Sequence, residues 1–244
     1  MKFINSFFYH RQQRDLFLIL IATTFFDCLL VLTRLWRVDF NWSSIQSFED
    51  IYHLRGSTSF LFLIFNLALA WIPYLVTLAL PKVAKWKFTM SISFGLLIIW
   101  LLFFPNAPYI ITDLIHIKSR PPIPLWFDAL LIFSFAWTGL MVGFASLLTV
   151  QTFLVKHFSI KTVWILVSSA LVLCGFGIYL GRFQRWHSWH IIEHPYALLS
   201  SIFETLTHPV ANAGTLSIAV VLSGFLMLGY LTISIITRPI KTKN

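Results

Sequence analysis

Long uncharged apolar stretches alternate with short polar ones along almost the whole chain. Six runs read as helices through a bilayer: roughly 16–33, 60–80, 88–104, 126–155, 162–181 and 213–236. A hydrocarbon core about 30 Å thick takes about 20 helical residues. The fourth run, about 30 residues, reaches about 45 Å and should tilt or project. The third is short, about 25 Å at the same rise, and runs directly into "FFPNAPYIITDLIH", residues 103–116. The pattern predicts an all-α polytopic membrane bundle of six transmembrane helices. It forms a single integral membrane domain over 1–244, with a short half-helix near 107–117.

Composition agrees. The 244 residues are 58% hydrophobic and only 11% charged, where a soluble domain carries about 25% charged residues. The net charge of +9 raises the question of nucleic acid. With the N-terminus inside, however, the inner segments hold Lys2, Arg11, Arg14, Lys82, Lys85, Lys87, Lys156, Lys161, Arg238, Lys241 and Lys243. That is the bias of cytoplasmic loops. It predicts a multi-pass protein of the cell membrane with both termini cytoplasmic, the lipid bilayer as its partner and no nucleic acid. The first run reads as a retained anchor, because no small-residue cleavage site follows it. Cys28 and Cys174 fall within spans and read as buried thiols.

The break at "PNAP" is the first candidate for chemistry. Pro105 is expected to stop the incoming helix. Asn106 is expected to cap the next one, with Pro108 in its first turn. An α-helix over 107–117 would place Tyr109, Thr112, Asp113 and His116 within an arc of about 100°. Asp113 and His116, at i and i+3, could transfer a proton or form half a metal site. Alternatively, free N–H groups at the helix start could receive an anion. The plain reading is a capped interfacial helix whose polar side faces water.

A second constellation lies in "YLGRFQRWHSWH", residues 179–190. Continued as a helix, it puts Arg182, Arg185, Trp186, Trp189 and His190 on one arc. Such a set suits an interfacial anchor, or a phosphate or carboxylate held by a guanidinium fork. "HIIEH" (190–194) matches the H-x-x-E-H pattern of inverted zinc peptidases. Pro195 pushes His194 away from helical angles, which argues against that motif. His187, His190 and His194 remain candidate ligands of a looser metal site, with solvated loop histidines as the plainer reading, and no metal and no cofactor is assigned.

Other polar groups lie within the spans. Asp27 needs a proton or a partner, and Arg34 follows seven residues on, on the same face. Asp128 sits at the outer mouth of the fourth span. Asn66 and Pro73 mark the second. Asp27, Asn106, Tyr109, Asp113, His116, Asp128, Arg182 and Arg185 all fall in the outer half under one topology. The pattern therefore predicts an outward-facing polar cavity, transporter-like, that binds a small anionic or lipid-headgroup ligand. In it Asp113 and His116 would face Arg182 and Arg185. A membrane-embedded enzyme using Asp113 and His116, and a structural subunit, are the alternatives. The oligomeric state is not legible.

Four strings carry a resemblance: "NLALAWIPY" (66–74), "FPNAPYIITDLIHI" (104–117), "LWFDALLIFSFAWTGL" (125–140) and "LGRFQRWHSW" (180–189). They are similar to an uncharacterised family of bacterial integral membrane proteins, a domain of unknown function. The family pattern at the last site reads nearer to RWNSWD, so His187 and His190 depart from it. The resemblance implies a multi-pass membrane protein and no established activity.

Overall fold

The computed structural model describes residues 11–40, 60–83, 89–184, 186, 193, 195–208 and 213–237. Its elements are α1 (Arg11–Arg37), α2 (Leu61–Thr77), α3 (Leu80–Val83), α4 (Thr89–Phe103) and α5 (Asn106–Tyr109). A 3-10 segment, Ile110–His116, comes next, and then α6 (Leu125–Leu154), α7 (Ile160–Phe183), α8 (Pro195–Thr207) and α9 (Ala213–Ile236). Among the described residues six helical stretches are long and apolar enough to cross a membrane. The fold is all-α, as the pattern of apolar runs predicts. The chain forms two compact units, Met1–Thr149 and Val150–Asn244.

The first unit is built around an apolar core with charge let into it. α1 buries Asp27, Val31 and Arg34, at i, i+4 and i+7, along with Leu20 and Leu35. Its other faces leave Phe25, Phe26, Leu29 and Trp36 exposed, which suits lipid contact. Val31, Leu35, Phe60, Leu63, Leu67, Ala107, Ile110, Leu131 and Phe135 close the core around them.

The break at "PNAP" differs from expectation. α4 ends at Phe103, just before Pro105, as expected, but the backbone does not leave helical angles there: Pro105 has φ and ψ of −59° and −25°. The amide of Ala107 bonds the Phe104 carbonyl at 3.2 Å, and that of Tyr109 bonds the Pro105 carbonyl at 3.0 Å. Nor does Asn106 cap the next turn. Its amide group donates back to the Phe103 carbonyl at 3.1 Å, closing the end of α4. The two prolines remove amide donors without unwinding the chain, so the path tightens. α5 lasts one turn and gives way to the 3-10 segment rather than an α-helix over 107–117.

That change of pitch re-sorts the side chains. Residues three apart eclipse in a 3-10 helix. Ile110, Asp113 and His116 therefore share one edge, on which Ile110 and Asp113 are buried and His116 is half-buried. Tyr109, Thr112 and Ile115 share another, on which Ile115 is exposed. The single polar stripe expected of an α-helix is split in two.

A glycine pair receives this turn. A Cβ on Gly139 of α6 would lie 2.7 Å from the Ala107 carbonyl oxygen, and one on Gly143 would lie 3.2 Å from the Ala107 Cβ. Gly139 and Gly143 form a G-x-x-x-G spacing, which lets backbones approach closely in membranes.

In the second unit α7 and α9 pack at equally short range. A Cβ on Gly175 would lie 2.8 Å from the Ser223 nitrogen and 2.9 Å from the Ala219 carbonyl. Ser159 caps α7, accepting from the Thr162 amide at 3.3 Å. α7 ends at Phe183 instead of running on through 190. The Trp186 amide turns back to the Leu180 carbonyl, six residues earlier, at 3.1 Å. Gln184 is anchored to α8, accepting from the Ser201 hydroxyl at 2.7 Å and donating to that of Thr205 at 3.3 Å. α8 opens on Pro195 and leaves Tyr196, Leu199 and Phe203 exposed, an apolar stripe not anticipated from the sequence.

Candidate functional site

The first unit gathers ionisable side chains from α1, the 3-10 segment, the loop after it and α6. Arg34 of α1 and Asp128 of α6 form a forked ion pair. Nε reaches Oδ1 at 2.7 Å and Nη2 reaches Oδ2 at 3.1 Å. Both side chains are wholly buried. A desolvated pair of this kind needs near-ideal geometry to be tolerated, and the planar fork supplies it. Nη1 of Arg34 has no hydrogen-bond partner among the described residues.

A second guanidinium approaches the same carboxylate. Arg120 Nη1 lies 3.9 Å from Asp128 Oδ2 and donates to the His116 carbonyl at 2.9 Å. Phe60 sits against both cations, with its ring centroid 4.3 Å from Arg34 Cζ and 5.1 Å from Arg120 Cζ. Ring faces attract cations, more so where water is excluded. Phe60 adopts a φ of 53° just before α2, a left-handed conformation that a bulky residue rarely takes. The strain is held by its surroundings, since the side chain is buried in the core.

Asp113 lies on the 3-10 segment. It is fully buried and accepts from the Asn66 amide of α2 at 2.9 Å. His116 Nε2 is 3.9 Å from Asp113 Oδ1, and the imidazole packs on Phe62 at a centroid distance of 5.4 Å. Phe62 in turn packs edge-on against Phe60. The chain of contacts thus runs from Asn66 through Asp113 and His116 to Arg120, Asp128 and Arg34.

Asp27 is separate. Its carboxylate accepts from the Ser134 hydroxyl of α6, not from Arg34, and Oδ2 has no partner among the described residues.

Of the residues singled out from sequence, Asp113, His116 and Asp128 come together with Arg34 and Asn66. Thr112 turns its hydroxyl to the Tyr109 carbonyl at 2.7 Å, and Tyr109 is half-buried. Arg182 and Trp186 belong to the second unit, both half-buried. Arg185, His187, Trp189, His190 and His194 lie outside the described residues. Sequence reasoning missed Arg120 and Phe60 as site members. Arg120 carries a weak signal, a basic residue on the side where topology does not favour it. Phe60, one of many phenylalanines, carries none.

These features define a multi-pass membrane protein with ionisable residues buried among its spans. A family model described as "Protein of unknown function (DUF1361)" matches residues 65–240, and the chain belongs to that family. No curated protein and no solved structure matches the chain.

Proposed function

We propose that the protein is a transporter-like component of the cell membrane, with both termini cytoplasmic, that takes a small anionic group on Arg34 and Arg120. The anion is a phosphate or carboxylate, free in solution or on a lipid headgroup. Asp128 holds its place when the site is empty. One observation carries this reading: two guanidiniums converge on a single carboxylate with one aromatic ring against both cations, while Arg34 Nη1 is left unpaired among the described residues. A carboxylate on the chain and one on a ligand are equivalent to a guanidinium fork, so a ligand could displace Asp128. Ionisable groups inside membranes commonly line substrate or ion paths, which favours transport. The inner bias of Lys and Arg supports the orientation. Tyr109, Thr112 and Asn106 are proposed as further ligand contacts on the strength of the sequence.

The test is titration of inorganic phosphate into the purified protein in nanodiscs, beside native mass spectrometry for retained anionic lipid. Asp128→Asn should tighten phosphate binding by removing the internal competitor. Arg120→Gln should weaken it. Retained lipid with no phosphate binding assigns the site to a headgroup. Indifference of both ligands to both substitutions rejects the proposal.

A second reading has its own support. Asn66 fixes Asp113, which lies beside the less buried His116, and that order suits a positioned acid and base. His116→Gln that leaves phosphate binding intact while abolishing function in cells would favour an enzyme.

A further inference from the structure

We propose that Asp27 is an exchangeable proton-binding site inside the membrane, with Oδ2 as the atom that takes the proton. The carboxyl group lies within α1 with no exposed surface. Its neighbours Phe25 and Phe26 are exposed apolar side chains that suit lipid contact. Ser134 donates its hydroxyl to Oδ1, and Thr138, also buried, follows one turn further along α6. Oδ2 is buried and unpartnered among the described residues.

No cation among the described groups offsets a negative charge here. From α6 the facing groups are Ser134 and Thr138, both neutral. On α1 the next residue is Cys28, a free thiol. Arg34 stands two turns on, about 10 Å along the axis, and is held by Asp128. α2 approaches this level through Trp71, whose indole donates to the Thr24 hydroxyl at 3.0 Å. An ionised carboxylate would therefore have only neutral hydroxyls beside it, in surroundings that penalise charge. A hard metal cation takes about six or more oxygens, which one carboxylate and two hydroxyls do not supply. A proton needs one oxygen. It adds to Oδ2, cancels the charge and leaves the Ser134 bond to Oδ1 in place. On release the carboxylate keeps the Ser134 donor, so exchange is reversible. Such a group lets proton binding bias the packing of α1 on α6, whatever the protein carries.

The site stands independently of the anion reading, and its test uses no ligand. Dicyclohexylcarbodiimide is an apolar reagent that modifies protonated carboxyl groups in apolar surroundings. Applied to the full chain in nanodiscs, with peptide mass spectrometry as the readout, it should label Asp27 in preference to Asp128, which is ion-paired. Labelling should fall as pH rises from mildly acidic to alkaline, and sodium should not protect. Asp27→Asn should abolish that label. Ser134→Ala, which removes a donor that favours the charged form, should move the fall in labelling to higher pH. Absence of label at every pH, label that ignores pH, protection by sodium, or an unmoved profile in Ser134→Ala would each overturn the proposal.

Discussion

The two units solve the same problem, burying polar atoms in an apolar bundle, in different ways. The first buries Asp27, Arg34, Asp113 and Asp128 outright. Among the described residues of the second, the buried polar side chains are Thr205 and Ser234. Hydroxyls satisfy themselves on nearby helix carbonyls, as Thr205 does on Ser201 and Ser234 on Leu231. Buried charge has no such local remedy. It must find a partner across the fold, or a proton. A bundle can be held together by small residues and hydroxyls alone. The ionisable set in the first unit is therefore more than the packing of helices requires, and that excess marks it as the place to look for function.

The sharpest test of this contrast is the Arg34–Asp128 pair. Arg34→Met strands a buried carboxylate and should cost about 3–5 kcal/mol. Arg34→Met combined with Asp128→Leu should recover most of that, measured as thermal unfolding in detergent. A stable double variant that has lost phosphate binding separates chemistry from architecture. If the single variant costs no more than a hydroxyl deletion in the second unit, the contrast between the units disappears.

Glycines give the next largest effect and sharpen the comparison. Gly139→Ala drives a methyl into the Ala107 carbonyl, and Gly175→Ala drives one into the backbone around Ser223 and Ala219. Each should cost about 1–3 kcal/mol as overpacking. Only Gly139→Ala should also alter the site, because α5 leads into the segment that carries Asp113 and His116. Gly95→Ala is the control. Nothing lies within 4 Å of its added methyl, and the change should be neutral or slightly stabilising.

The bundle is legible in the sequence because apolar runs of span length leave few alternatives in a chain this poor in charge. The site is legible only in part. Asp113, His116 and Asp128 stand out as ionisable groups near spans, and that signal is chemical. Their partners are a matter of packing, which periodicity does not carry. Arg34 shares a helix face with Asp27, yet it pairs with a residue 94 positions away. The half-helix departs from expectation for a local reason. Pro and Asn at a helix end suggest a cap, but the same residues also permit a tightened turn. Gly139 and Gly143 hold that turn close, and their spacing, visible in the sequence, is the signal that separates the two.

Asn66 should come next in magnitude. Asn66→Ala removes the amide that donates to the buried Asp113 carboxylate at 2.9 Å. A buried acceptor left short of a donor costs about 1–3 kcal/mol. A loss of function in cells larger than the loss of stability would tie Asp113 to the site rather than to the fold.

The smallest effect is expected in the second unit, at Tyr230. Its hydroxyl donates to the Gln151 side-chain oxygen, and the ring is buried, edge-on to Trp164 at a centroid distance of 6.4 Å. Tyr230→Phe removes the hydroxyl and keeps the ring, so packing and the Trp164 contact survive. What is lost is one hydrogen bond between helical segments in an apolar setting. Such bonds average only about 0.6 kcal/mol in a membrane protein, because the alternative state also finds partners. Gln151 is half-buried and can turn its amide toward other groups, which limits the loss further. Thermal unfolding of Tyr230→Phe beside Arg34→Met, in the same detergent, reads both units on one scale. A shift for Tyr230→Phe close to that of Arg34→Met would mean that hydroxyl bonds hold the second unit as firmly as charge holds the first, and the contrast would no longer single out the ionisable cluster.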